Sequence, residues 1–132
     1  MPGTDERRRS IEVEGFGHAG LPIPAACRIG NIVMTGGISG IDVDAQRIPE
    51  SAAEQCENMF ANVRRILAAA GASPDDVIKM TVFVKDRTVR SVVNGPWIAM
   101  FPDERSRPAR HILEYESLQG GMVIQCEVTA VV

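Results

Sequence analysis

The longest periodic stretch of the chain runs from Ser51 to Ala70, where Cys56, Met59, Phe60, Val63, Ile66, Leu67 and Ala70 recur at helical spacing. Apolar positions three and four apart form one stripe on an α-helix, so the segment is predicted to be a helix with one buried side. Ser51 and Glu54 have the spacing of a capping box, and Gly71 stands where a helix-ending glycine belongs. Strand patterns surround this helix. Ile78, Met80, Val82 and Val84 alternate with Lys79, Thr81 and Phe83, and the apolar character of both sets predicts a central strand. Residues 109–115 predict another strand, and 122–132 a last one with Ile124, Cys126, Val128, Ala130 and Val132 on its apolar face. Residues 27–29 and 32–35 flank Gly30-Asn31, the pattern of a tight β-hairpin. A shorter alternation over 11–16 precedes an irregular stretch rich in glycine and proline. A second helical pattern over 88–101 is interrupted by Gly95-Pro96, because proline lacks the N–H donor and clashes with the preceding turn. A break or a fresh helix start is therefore expected near Asn94.

Two or three strands, a helix, a strand, a helix and two strands make an α+β fold, with a sheet of about six strands and two helices on one face. A layer of two helices leaves the other sheet face bare. Ile112, Thr81, Phe83, Val123 and Val131 are assigned to that face, and their apolar character predicts cover by oligomerisation. Residues 1–10 carry Asp5, Glu6, Arg7, Arg8 and Arg9 with little apolar content, so they are expected to form a disordered tail before a single domain over 11–132.

Composition narrows the function classes. Fourteen Lys+Arg against seventeen Asp+Glu give a formal charge of −3, which disfavours a nucleic-acid partner. No apolar run approaches the roughly 20 residues a membrane helix needs, and the first residues lack the apolar segment of a signal peptide, so no membrane partner is expected. Cys27, Cys56 and Cys126 are odd in number and without CxxC spacing. That pattern predicts reduced thiols and a cytoplasmic location.

Candidate chemistry is sparse. His18 and His111 are far apart and no HxxxH spacing exists, so neither a metal site nor a metal cofactor is expected. No GxSxG elbow or Walker-type loop occurs, and Cys56 and Cys126 read as small apolar fillers. Cys27 has no base that the sequence can pair with it. Gly36-Gly37 permits a sharp turn or a close ligand approach. Arg110 opens a strand after Pro108-Ala109. A guanidinium there either grips a carboxylate through two parallel hydrogen bonds or is an exposed strand-start arginine; the sequence leaves both open. Gln125 lies on the last strand, opposite Cys126 in the alternation.

From residue 11 to residue 132 the chain resembles the YjgF/RidA family of reactive-intermediate (enamine/imine) deaminases. The matching stretches are Arg28-Ile29-Gly30-Asn31, Thr35-Gly36-Gly37, Ile66-Leu67-Ala68-Ala69-Ala70-Gly71-Ala72, Thr81-Val82-Phe83-Val84-Lys85-Asp86, Val93-Asn94, Phe101, Pro108-Ala109-Arg110 and the closing strand. The resemblance implies a chorismate-mutase-like fold, a homotrimer with clefts between subunits, no cofactor, and hydrolysis of 2-imino acids to 2-keto acids and ammonia. It places Arg110 at the family arginine that grips the substrate carboxylate. Backbone at Gly36, Gly37, His111 and Ile112, together with Asn94, would complete the pocket. The chain also departs from the family. Gln125 stands where catalytic members carry a glutamate, Ile23 replaces a tyrosine of the early loop, and Gly36 replaces a serine. A neutral amide orients water but cannot take up or return a proton.

Four readings follow from that resemblance. The first is imine or enamine hydrolysis in an altered pocket. The second is a non-catalytic trimer that binds small carboxylates such as 2-keto acids, and the third a deaminase dedicated to one pathway. Endoribonuclease activity, a label carried by parts of the family, is the weakest, since the acidic chain offers no histidine pair.

Overall fold

The computed structural model describes residues 7–17 and 20–132. Its longest element is helix α1, Ala52–Ala69, in the predicted place. The Ser51 hydroxyl accepts from the Glu54 N–H at 3.2 Å and so satisfies one of the free donors of the first turn. At the other end the N–H of Gly71 bonds to the Ala68 carbonyl and that of Ala72 to the Leu67 carbonyl, a Schellman closure with Gly71 at φ +79°. Arg28 adds a guanidinium bond to the Ala70 carbonyl at 2.9 Å, which ties the helix end to the hairpin.

Seven strands form one mixed sheet: β1 (Arg8–Ile11), β2 (Ala26–Ile29), β3 (Ile32–Thr35), β4 (Ile38–Ser39), β5 (Val77–Val84), β6 (Ala109–Glu114) and β7 (Ile124–Val131). Their order is β1-β2-β3-β7-β5-β6, with β4 also paired to β7; only β5 and β6 run parallel. A short helix, α2 (Asn94–Met100), follows a 3-10 segment at Arg87–Val92. The helical pattern interrupted by Gly95-Pro96 thus resolves as a fresh start. Pro96 lies in the first turn of α2, where its missing N–H costs nothing.

One face of the sheet is dry. Val77, Met80, Val82, Val84, Ile124, Cys126, Val128 and Ala130 form a single core with Met59, Phe60, Val63, Ile66 and Leu67 of α1 and Trp97, Met100 and Phe101 of α2. The opposite face carries Thr81, Phe83, Gln125, Glu127 and Thr129, and leaves Ile32, Met34, Leu113 and Val131 exposed.

Several expectations need correction. The first strand is Arg8–Ile11 rather than 11–16, because Arg8 to Ile11 pair in register with Ile29 to Ala26; residues 8–10 therefore belong to the sheet and not to a tail. Residues 1–6 of that stretch lie outside the described residues, as does His18. Ile78 is exposed, since a register shift between Val77 and Lys79 puts Val77 inward in its place. Ile112 pairs with Val82 and packs on the core side, so it does not face outward; Val123 also packs against the core.

Candidate active site

The glycine pair breaks one strand into two. β3 pairs with residues 129–131 of β7, while β4 pairs with Gln125 and Cys126, so Gly36-Gly37 marks the point where the chain leaves the ladder and returns. The Thr35 hydroxyl fills that gap: it accepts from the Val128 N–H at 3.0 Å and donates to the Gly36 carbonyl at 2.8 Å. The orphaned ladder donor is thereby satisfied by a side chain.

Beyond the break, the segment is held from below by polar groups of α1. Asn62 donates to the carbonyls of Ser39 and Ile41, and Asn58 to that of Gly40. Gln55 donates to the carbonyls of Pro49 and Gly121 and accepts from the Val123 N–H. Gln55 and Asn62 are fully buried. Gly40 is required by this approach, because a Cβ there would lie 2.1 Å from the Gln55 carbonyl oxygen of the helix backbone. The sequence reading passed over this stripe, although polar residues seven apart beside an apolar face were a legible signal.

Gln125 rises from β7 on the open face, opposite Ser39 of β4 and Phe83 of β5. Its carboxamide lies against Gly37, where a Cβ would meet Cδ at 2.8 Å, and its Nε2 reaches Met122 Sδ at 3.9 Å. Phe16, Ser39, Gln46 and Met122 join Gly37 and Gln125 around an open cleft of about 210 Å3.

Arg110 belongs to the other side of the sheet. It pairs with Met80 at the start of β6, and its guanidinium carbon sits 4.8 Å from the centroid of the Trp97 ring. Trp97 is in turn wedged edge-on against Phe101, centroids 4.7 Å apart. The buried Nη1 of Arg110 has no hydrogen-bond partner among the described residues. Burial, and next the positive charge of Arg90, push the Arg110 pKa below its ordinary value. A desolvated, unpaired guanidinium is costly unless something anionic meets it. Trp97 falls in the helical pattern over 88–101, and its contact with Arg110 needed the tertiary structure.

The remaining expected pocket residues are scattered in a single chain. Gly36 is half-buried, its N–H bonded to the Ala25 carbonyl. Ile23 is 47% exposed in the loop before β2. Asn94 is the exposed first residue of α2, and Ile112 lies two residues beyond Arg110 on the core side. Gln125 and Arg110, on opposite faces of the sheet, do not meet within one chain. Cys56 and Cys126 are buried in the core: burial pushes the Cys56 thiol up to about 12 and raises the Cys126 thiol as well, so neither ionises near neutrality.

The Endoribonuclease L-PSP family matches residues 22–132. Over 124 residues the chain is 31% identical to the 2-iminobutanoate/2-iminopropanoate deaminase of Escherichia coli, covering 93% of this chain and 97% of that protein. A RutC family protein of Pyrococcus abyssi is 32% identical over 110 residues, 83% of this chain and 85% of that protein. The crystal structure of the E. coli YjgF gene product superposes with a TM-score of 0.83 at 31% identity over 93% of this chain and 98% of that one. RidA from an Antarctic Psychrobacter superposes with a TM-score of 0.85 at 27% identity, covering 94% and 99%. In sequence and in fold, the chain belongs to the YjgF/RidA (Endoribonuclease L-PSP) family.

Proposed function

We propose that this protein hydrolyses small 2-imino acids, or the enamines that tautomerise to them, to 2-keto acids and ammonia, in clefts between the subunits of a homotrimer. The observation that carries this reading is Arg110: a guanidinium packed on Trp97 with a buried, unpaired Nη1 is built to receive a carboxylate. Two features support assembly. Gln125 and Arg110 lie on opposite sheet faces, so a pocket that uses both must join two copies. The open face also exposes Ile32, Met34, Leu113 and Val131, which a neighbouring copy would cover. The free Cys27, Cys56 and Cys126 suit a reducing cytoplasm.

Arg110 would hold the carboxylate and fix C2 of the imine beside a water oriented by the Gln125 carboxamide and the backbone at Gly37. The water oxygen bonds to C2 as the C=N electron pair moves to nitrogen, which takes up the proton that the water releases. The hydroxyl proton of the resulting carbinolamine then passes to its nitrogen, the C–N bond breaks as C=O forms, and ammonia leaves. Gln125 exchanges no proton, so transfer runs between water and the substrate nitrogen. Positioning is the protein's main contribution to a carbon that is already electrophilic.

A second reading, a trimer that binds 2-keto acids without turnover, is favoured by the surroundings of Gln125. Its side-chain hydrogen-bond partner is Met122 Sδ, and no ionisable group bonds to it among the described residues. One assay separates the two. Imino acids generated in situ by an amino-acid oxidase are trapped with semicarbazide, and wild type, Arg110→Ala and buffer are compared. Acceleration that disappears in Arg110→Ala supports the enzyme. No acceleration, with 2-keto acid binding that depends on Arg110, supports the binding trimer. Acceleration that survives the substitution overturns the anchor.

A further inference from the structure

Arg110 is not the only cation at its end of the fold. Val93 donates its N–H to the Arg90 carbonyl and Trp97 donates to the Val93 carbonyl. These two bonds stack Arg90, Val93 and Trp97 on one side of the continuous 3-10 and α2 segment. Val93 and Trp97 are buried, whereas Arg90 is exposed one 3-10 turn before Val93, on the segment whose Trp97 carries Arg110. After burial, the positive charge of Arg90 is what acts on Arg110 to lower its pKa. Asp86, the acidic residue nearest to Arg90 in sequence, is already engaged by the Thr88 N–H and hydroxyl. Like charges brought together around a buried, unpaired Nη1 repel each other until an anion of matching charge lies between them.

We propose that Arg90 is a specificity-determining residue that receives a second carboxylate, so that the preferred ligands are dicarboxylic 2-imino acids and 2-keto acids, those derived from acidic amino acids. This inference deepens the proposed function and rests on its assignment of Arg110 as the carboxylate anchor. Arg110 would take the carboxylate next to C2, and Arg90 the one at the end of the side chain. The more exposed, longer-reaching guanidinium suits the more distant and variable group. A ligand with one carboxylate leaves the repulsion between the arginines half relieved, whereas a dicarboxylate relieves it on both sides.

The test compares 2-iminoglutarate with 2-iminobutanoate in the semicarbazide assay, and 2-oxoglutarate with 2-oxobutanoate by calorimetry, on the intact protein. Wild type, Arg90→Ala, Arg90→Lys and the charge-matched control Arg105→Ala are used. Arg105 is exposed in the turn that follows α2, and Arg90 is itself exposed, so neither change is expected to disturb folding. The expected result is a preference for the dicarboxylic compound of about tenfold or more in kcat/KM or Kd, in keeping with one added charge-assisted contact. Arg90→Ala should collapse that ratio to within about threefold, Arg90→Lys should restore part of it, and Arg105→Ala should leave it as in wild type. Equal handling of the two compounds by wild type overturns the inference, as does a ratio that Arg90→Ala leaves intact; in both cases imine hydrolysis itself stands. Selective, Arg90-dependent binding of 2-oxoglutarate without hydrolysis of either imine overturns the enzyme reading and supports the inference. Absence of both binding and hydrolysis overturns the two together.

Discussion

Gln55 and Arg110 carry two polar groups whose bonding contrasts sharply. The carboxamide of Gln55 is fully enclosed, and its bonds to Pro49, Gly121 and Val123 are all made within the chain. The guanidinium of Arg110 is partly enclosed as well, yet its buried Nη1 is left unpaired and its flat face rests on Trp97. A buried polar group that completes its bonds internally fixes the backbone around it. One that does not is held ready for a partner from outside. On the proposed function the contrast separates the scaffold of this protein from its chemistry, and it can be broken by substitution.

The largest effect is expected at Arg110. Arg110→Ala should weaken 2-keto acid binding on the order of 100-fold or more, the loss of a two-pronged charge-assisted contact. The urea midpoint should hardly move, because the lost ring contact, ~0.5–1 kcal/mol, is offset by removal of an unpaired buried N–H. Calorimetry and urea denaturation on the same sample check both halves. A large fall in midpoint would place Arg110 with the scaffold.

Gln125→Glu tests the open face. A carboxylate against Gly37 can accept the proton of the attacking water, so kcat near neutral pH should rise by ~10²-fold, the lower end of what a positioned acid–base group contributes. An unchanged rate would mean that water activation does not pass through this position.

Gln55→Ala should show the reverse of Arg110→Ala. It strands the Val123 N–H and two carbonyls, and should cost about 2 kcal/mol in urea unfolding. A cost near zero would dissolve the distinction between the two groups.

The smallest effect concerns the thiols. Burial, followed by the nearby Glu57 charge, raises Cys56 from 9.0 to about 12. The folded protein therefore keeps a neutral thiol where the unfolded chain ionises. That stability is present below the ordinary thiol value and is lost as pH rises towards about 12. Thermal melts between about pH 8 and about pH 10.5 should show a falling Tm that is shallower in Cys56→Ala. The buried Cys126, shifted the same way, keeps part of the slope.

Much of the architecture was legible because it is local. Helix α1 with its Ser51 cap and Gly71 ending, the Gly30-Asn31 hairpin and the restart at Asn94 each follow from residues a few positions apart. The family resemblance carried by Thr35-Gly36-Gly37 and Pro108-Ala109-Arg110 agrees with the comparisons. Strand β1 was misplaced because its hydrogen bonds to β2, rather than its own weak pattern, define it. Ile112 was put on the wrong face because the side that a residue of β6 takes is set by its register with β5.

The sequence by itself determined helix α1, the hairpin, the longer strands and which residue types are available for chemistry, since periodicity and capping act over one or two turns. Only the tertiary structure decided that Gln125 and Arg110 stand on opposite faces of one sheet and that Trp97 carries the guanidinium. Those relations depend on strand register and on the packing of α2 against the sheet, which join residues far apart along the chain. No local pattern encodes them.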